Sequence, residues 1–247
     1  MTSKEERVFR FAPSPNGYLH LGHAYSALLN FDLARQCGGR LLLRIEDIDT
    51  RRARPEFEAA IYEDLAWLGL DWERPVRRQS EHFGDYARSL ERLDAMGLIY
   101  ACDCKRSDIA RIAAGKQDWP RDPDGPPLYP GTCRSKQRRT AREVLAEGGV
   151  ALRAGAADDP QGMTIAADPA EWGDVVLARK DTPASYHIAV VVDDALQGVT
   201  DVVRGKDLFE ATSLHRLLQR LLDLPAPNYR HHGLVLDEKG EKLAKSV

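Results

Sequence analysis

The sequence predicts an α/β fold: a doubly wound parallel sheet whose two halves are separated by an inserted subdomain. Three observations predict it. A short alternating run, Arg7 to Ala12, meets a Pro- and Gly-rich loop and then a helical segment. Leu41 to Leu43 with Ile45 form the continuous apolar run expected of a parallel strand covered on both faces. Between two stretches of this α/β rhythm lies a middle rich in Pro, Gly, Asp and Arg.

The elements follow in order. Arg7 to Ala12 reads as a strand, stopped by Pro13, Pro15 and Gly17. From His20 to Cys37 the apolar residues fall at helical spacing, with Leu21, Ala24, Leu28, Phe31 and Ala34 as the expected buried face and Gly38-Gly39 as the stop. After the Leu41–Ile45 strand, helices are expected over 55–68 and 82–96, then a strand from Leu98 to Ala101. Residues 105 to about 183 include the DPDGPP stretch at 122–127; a structureless loop of that size is improbable, so an inserted subdomain is expected there. The α/β pattern resumes with His187 to Val192, an extended run over Val199 to Arg204 and an amphipathic helix at about 208–223. A hairpin-like segment, Gly233 to Leu236, turns at Glu238-Lys239-Gly240. This order gives a Rossmann-like domain from 1–98 and 185–235, an insert at 99–184 and a basic loop at 236–247.

Composition limits the function classes. Of 247 residues 43% are hydrophobic, enough for a core, and the net charge of -3 excludes a basic coat, so a nucleic acid would have to meet a local patch. No run of about 18 apolar residues and no signal-peptide core occur, which predicts a cytoplasmic protein without a membrane partner. In that compartment four cysteines are expected as thiols or metal ligands.

Three motifs carry chemistry. In the first, PSPNGYLHLGH from Pro13 to His23, a loop leads into a helix whose N-terminal N–H groups and partial positive charge suit an anion. Gly22 would let a nucleotide approach the backbone, and His20 and His23 have the reach to donate to phosphate oxygens; helix capping is the plainer reading of the same two histidines. The second is the closing run Lys242-Leu243-Ala244-Lys245-Ser246, two lysines beside a turn, for which solubilising charge is the better reading when the run is taken alone. In the third, Cys102-x-Cys104 is followed by Tyr129-x3-Cys133. Three thiolates at this spacing suggest a structural zinc site lacking one ligand; no histidine occurs between His82 and His187, which leaves Tyr129 as the candidate. Three unrelated thiols are the other reading, and Cys37 is expected as a packed thiol.

The stretch RFAPSPNGYLHLGH resembles the nucleotide-binding signature of class I aminoacyl-tRNA synthetases, in the glutamate and glutamine branch, and the closing lysines resemble that class's catalytic loop with Leu243 and Ala244 as departures. The resemblance implies that His20, Gly22, His23, Lys242 and Lys245 serve ATP, accompanied by Mg²⁺, during adenylate formation. A glutamate pocket needs a cation for the carboxylate and an anion for the ammonium group. Arg10 and Glu46 at strand ends supply them, with Tyr186 and Arg204 completing a ring. Ala12 and Ser14 join the same glutamate set, and Glu46 is similar to the glutamate rather than the glutamine branch. The zinc pattern and the short chain resemble the branch that lacks an anticodon-binding domain and attaches L-glutamate to the queuosine base of tRNA(Asp), acting as a monomer. A conventional glutamyl-tRNA synthetase core and a non-catalytic RNA-binding paralogue, using the Arg134–Arg139 cluster, are the alternatives. Because a family core continues with helices past the lysine loop, the chain is expected to be cut short after Val247.

Overall fold

The computed structural model describes residues 6–134, 150–152, 168–241 and 243. Its main sheet has five strands: β1 (Val8–Phe11), β2 (Arg40–Ile45), β3 (Glu73–Arg78), β7 (Asp201–Gly205) and β8 (Asn228–His232). They run in the order β3-β2-β1-β7-β8, and every pairing is parallel. A second, antiparallel sheet joins β4 (Tyr100–Ala101), β5 (Val150–Leu152) and β6 (Val175–Ala178).

Alternation along the strands decides what each face buries. Phe11, Leu43 and Ile45 pack on Ala27 of helix α1 (Leu21–Cys37) and on Ile61 and Leu65 of α2 (Pro55–Trp67), while Phe9 and Val203 meet Ala34. The opposite face carries Val8, Leu42, Val202 and Tyr229. In the same parity it carries Arg10, Arg44 and Arg204, all at most 5% exposed. Helix α5 (Tyr186–Leu196) covers that face, and α3 (Phe83–Ala95) and α6 (Ala211–Leu221) form the next core with it.

Some local readings are corrected, and elements that the sequence reading left unassigned are added. The β-branched run His187 to Val192 is helical, because α5 is wrapped by core on all sides and burial outweighs its weak intrinsic preference. Helix α1 buries Ala27, Asn30 and Ala34, whereas Leu21 and Leu28 face outward. Apolar spacing could not locate that face, since a polar residue sits at its centre: the Asn30 amide donates to the carbonyls of Ser26 (2.8 Å) and Val203 (3.1 Å). The charged ERPVRR segment forms β3, an edge strand where its proline is tolerated. Tyr100–Ala101 joins the antiparallel sheet rather than the main one. The residues that follow β4 contribute α4 (Arg106–Ala114) along with β5 and β6. Asn228–His232 adds a strand just before the expected hairpin, whose turn is closed by Asp237 N–H to the Glu241 carbonyl (2.8 Å) and Leu243 N–H to Val235 (3.3 Å). No helix among the described residues is long and apolar enough to cross a membrane.

Candidate active site

Strand order reverses at β1, which has β2 on one side and β7 on the other. In doubly wound sheets the crevice for ligands opens there, over the carboxyl ends of the strands. A cleft of about 710 Å³ does so, lined by Arg10, Ala12, Ser14, His20, Gly22, His23, Glu46, Tyr186 and Arg204. Residues 194 positions apart in the chain thus face one space. All the glutamate- and nucleotide-directed residues expected from the sequence are in that set except Lys242 and Lys245, which lie outside the described residues. The loop from Pro13 is tied to the segment after β2: Glu46 N–H donates to the Pro13 carbonyl and Arg54 N–H to Pro15, each at 3.0 Å.

The two histidines occupy the start of α1. His20 is the N-cap; its Nδ1 accepts from the Gly22 N–H at 3.1 Å, and its own N–H donates to His23 Nδ1 at 3.2 Å. With both Nδ1 atoms accepting, a neutral ring carries its proton on Nε2, so each imidazole is a donor there. Capping and donation are therefore compatible. A Cβ on Gly22 would come 3.0 Å from the His20 ring, so this glycine makes room for the capping imidazole.

Beneath them lies a buried ion network. Asp194 on α5 accepts from Arg44 Nη1 at 2.7 Å and from Arg10 Nε at 3.1 Å. Burial drives the Asp194 carboxyl upward, but the two arginines outweigh it and hold it below the usual carboxylate range. Arg44, fully buried, also donates to Glu46 Oε1 at 3.0 Å and to Gln197. At Glu46 the balance is reversed: burial raises its carboxyl more than Arg44 and Arg10 lower it. A cation arriving beside Glu46 would relieve that penalty. Neighbouring Asp193 is held by Arg77 (2.7 Å), Gln79 (2.8 Å) and Tyr86 (2.9 Å), which fixes α5 to β3 and α3.

Arg204 differs from the other two arginines. It donates to Thr212 Oγ1 (2.8 Å), the Leu208 carbonyl (3.0 Å), His215 Nδ1 (3.0 Å), His231 Nε2 (3.3 Å) and Tyr186 OH (3.5 Å), and its guanidinium lies 5.1 Å from the Tyr229 ring centroid. Among the described residues no carboxylate lies within ion-pair distance of it. Burial holds His231 and His187 down to about 4, with Arg204 adding to both. A buried cation ringed by neutral acceptors keeps its full charge for an anion in the cleft.

The cysteines form a separate cluster. The Sγ atoms of Cys102, Cys104 and Cys133 all lie within 4.8 Å of one another. Tyr129 OH is 3.3 Å from Cys102 Sγ and 3.6 Å from Cys104 Sγ, and Cys104 and Cys133 are 3.7 Å apart. Tetrahedral zinc with bonds of about 2.3 Å to sulfur and about 2.0 Å to oxygen requires edges of about 3.8 Å and about 3.5 Å. The Tyr129–Cys102, Tyr129–Cys104 and Cys104–Cys133 edges are close to that size, and the other thiol pairs stay within 4.8 Å. The Cys133 N–H donates to Tyr129 OH at 2.8 Å and so orients the phenol oxygen toward the thiols. Cys133 itself is brought down to about 7: burial raises it, but hydrogen bonds from Tyr129, the Asp103 backbone and the neighbouring thiols prevail. Cys37 is half-buried against Ala34 of its own helix.

The family model for the catalytic domain of class I (E and Q) tRNA synthetases matches residues 7–246. The chain belongs to that family. It is 50% identical to the glutamyl-Q tRNA(Asp) synthetase of Rhodobacter capsulatus over 96% of this chain and 90% of that protein. It is 42% identical to the enzyme of the same name from Symbiobacterium thermophilum, over 96% of this chain and 77% of that one. The glutamate-tRNA synthetase of Elizabethkingia anophelis superposes with a TM-score of 0.79 at 28% identity, covering 97% of this chain. The chain spans about half the length of that structure, 52%.

Seen as a class I (E and Q) synthetase domain, the cleft includes residues the sequence did not single out: Arg51, Arg52, Arg54, Asp207 and His232 line it. Asp194, Thr212 and His215 act from behind Arg10 and Arg204. A charged residue inside an apolar run was the available signal for Arg44. No sequence signal marked His215, which lies on the buried side of an amphipathic helix.

Proposed function

We propose that this chain activates L-glutamate with ATP and transfers the glutamyl group to the queuosine base of tRNA(Asp). The observation that carries the first half is the charge order of the cleft. Glutamate brings two carboxylates and one ammonium; the cleft presents Arg10, Arg204 and Glu46, while below it Asp194 bridges Arg10 and Arg44 and Arg44 also reaches Glu46. Glu46 takes the ammonium group, and Arg10 and Arg204 face the carboxylates, with Tyr186, Ala12 and Ser14 completing the walls. An α-carboxylate oxygen then attacks the α-phosphorus of ATP, forming the glutamyl-adenylate and releasing pyrophosphate. His20 and His23 donate through Nε2 to the phosphate oxygens at the positive end of α1. Lys242 and Lys245, read from the sequence alone, supply further positive charge where it develops. Mg²⁺ accompanies the nucleotide and shields its phosphates.

Cys102, Cys104, Tyr129 and Cys133 would hold a structural zinc ion, tying the start of the insert to its loop. The tRNA half of the proposal rests on the two relatives named for it, one of them half identical along nearly its whole length. Charging assays test it: glutamate is expected to enter queuosine-containing tRNA(Asp) and not tRNA(Glu). The reverse pattern would make the chain a conventional glutamate–tRNA ligase core, the name borne by a 39% identical protein of Nitratidesulfovibrio vulgaris that it half covers. Glutamate-dependent exchange of pyrophosphate into ATP checks the activation step separately.

A further inference from the structure

We infer that His215 is a positioning residue for Arg204, with His187 behind it fixing its tautomer. The inference rests on the reading of Arg204 as a carboxylate-binding residue and adds a mechanism that sets its orientation and preserves its charge. A guanidinium has donors and no acceptor, so His215 Nδ1, 3.0 Å from Arg204 Nη1, must present its lone pair. The proton of a neutral His215 then sits on Nε2, 3.1 Å from His187 Nδ1, which must in turn accept. One donor–acceptor direction runs from Arg204 through His215 to His187.

The chain is packed in place. His215 is 1% exposed on α6 and His187 is the second residue of α5, next to Tyr186, so the two histidines bridge the helices that flank Arg204. The His187 ring meets Trp172 edge to face at 5.7 Å, and Trp172 Nε1 donates to the Glu210 carbonyl at 3.3 Å, just before α6. Burial first, and Arg204 second, keep both imidazoles below their ordinary range and therefore neutral. An acid at this position would orient Arg204 equally well but would neutralise it. A neutral acceptor orients it and leaves its charge for the ligand.

Two measurements test this. Long-range ¹H–¹⁵N spectra of the full chain should show His215 and His187 both as Nε2–H tautomers; Nδ1–H at His215 would overturn the inference without reference to any substrate. In glutamate-dependent pyrophosphate exchange, His215→Phe keeps a ring and removes the acceptor. It should raise the glutamate KM about tenfold or more while the ATP KM moves less than about twofold, the size expected for one lost hydrogen bond to a charged group. His215→Asn, which can place an oxygen near the Nδ1 position, should recover most of that loss. An unchanged glutamate KM in His215→Phe, or an Asn variant as impaired as Phe, would overturn the inference. Arg204→Gln separates the two levels: if it leaves the glutamate KM unchanged, the reading of the pocket itself fails. If it raises the KM and His215→Phe does not, only the positioning role fails.

Discussion

Asp194→Asn tests the buried ion network most directly. The native carboxylate sits 2.7 Å from Arg44 and 3.1 Å from Arg10, with its side chain only 4% exposed. The amide keeps the shape but removes the charge and can turn an N–H toward a guanidinium. Arg44 retains Glu46 at 3.0 Å and a longer contact to Asp193 at 3.8 Å, whereas Asp194 is the only ion-pair partner of Arg10 among the described residues. Removing one partner of a buried ion pair typically costs about 3–5 kcal/mol. For a chain of this size each kcal/mol is about 2–4 °C in Tm, so a fall of about 6–20 °C is expected. Differential scanning calorimetry at neutral pH measures it. Arg10 would also swing toward Glu46, so the glutamate KM should rise in the same variant. A Tm within about 2 °C of wild type would refute the claim that these ions depend on one another.

Glu46→Gln should raise the glutamate KM by about 10- to 100-fold, the loss of one charge-assisted contact to the ammonium group, with the ATP KM little changed in pyrophosphate exchange; an unaltered glutamate KM would remove Glu46 from the pocket. Lys245→Ala should slow adenylate formation by about 10²- to 10³-fold while glutamate binding, followed by calorimetry, persists. Cys104→Ser should abolish bound zinc in elemental analysis of the purified chain; equal metal content would rule out the four-donor site. His187 and His231 fall from about 6.5 unfolded to about 4 folded, so the unfolded chain takes up protons that the fold refuses. Their contribution is complete above about pH 7 and is lost as pH drops from about 6.5 toward 4, on the order of 3 kcal/mol for the enclosed His187 and less for the more solvent-screened His231, with the raised Glu46 acting in the opposite sense. Urea midpoints that stay flat across that window would contradict it.

The elements that carry the first cleft residues were legible from local grammar, and the family resemblance supplied the roles expected of their side chains. Pro13, Pro15 and Gly17 end a strand, His20 starts a helix, and Arg10 and Glu46 fall at strand ends whatever the rest of the chain does. The cysteines with Tyr129 were legible for a similar reason: spacing limits what a short loop can bring together. Other features had no local signature. A β-branched run became α5 because it is enclosed on every side, and a charged, proline-bearing segment became β3 because an edge strand tolerates both.

By itself, then, the sequence determined the strand–loop–helix opening and the thiol set, since backbone preference and residue type act over a few positions, and it named nine of the residues that line the cleft. Only the tertiary structure decided which charges cancel. Arg10, Arg44 and Arg204 are alike as residues and share one face of the sheet, yet two of them meet Asp194 and the third meets neutral histidine, threonine and tyrosine. Coulomb energy depends on distance through space and on burial, and neither is a property of position along the chain.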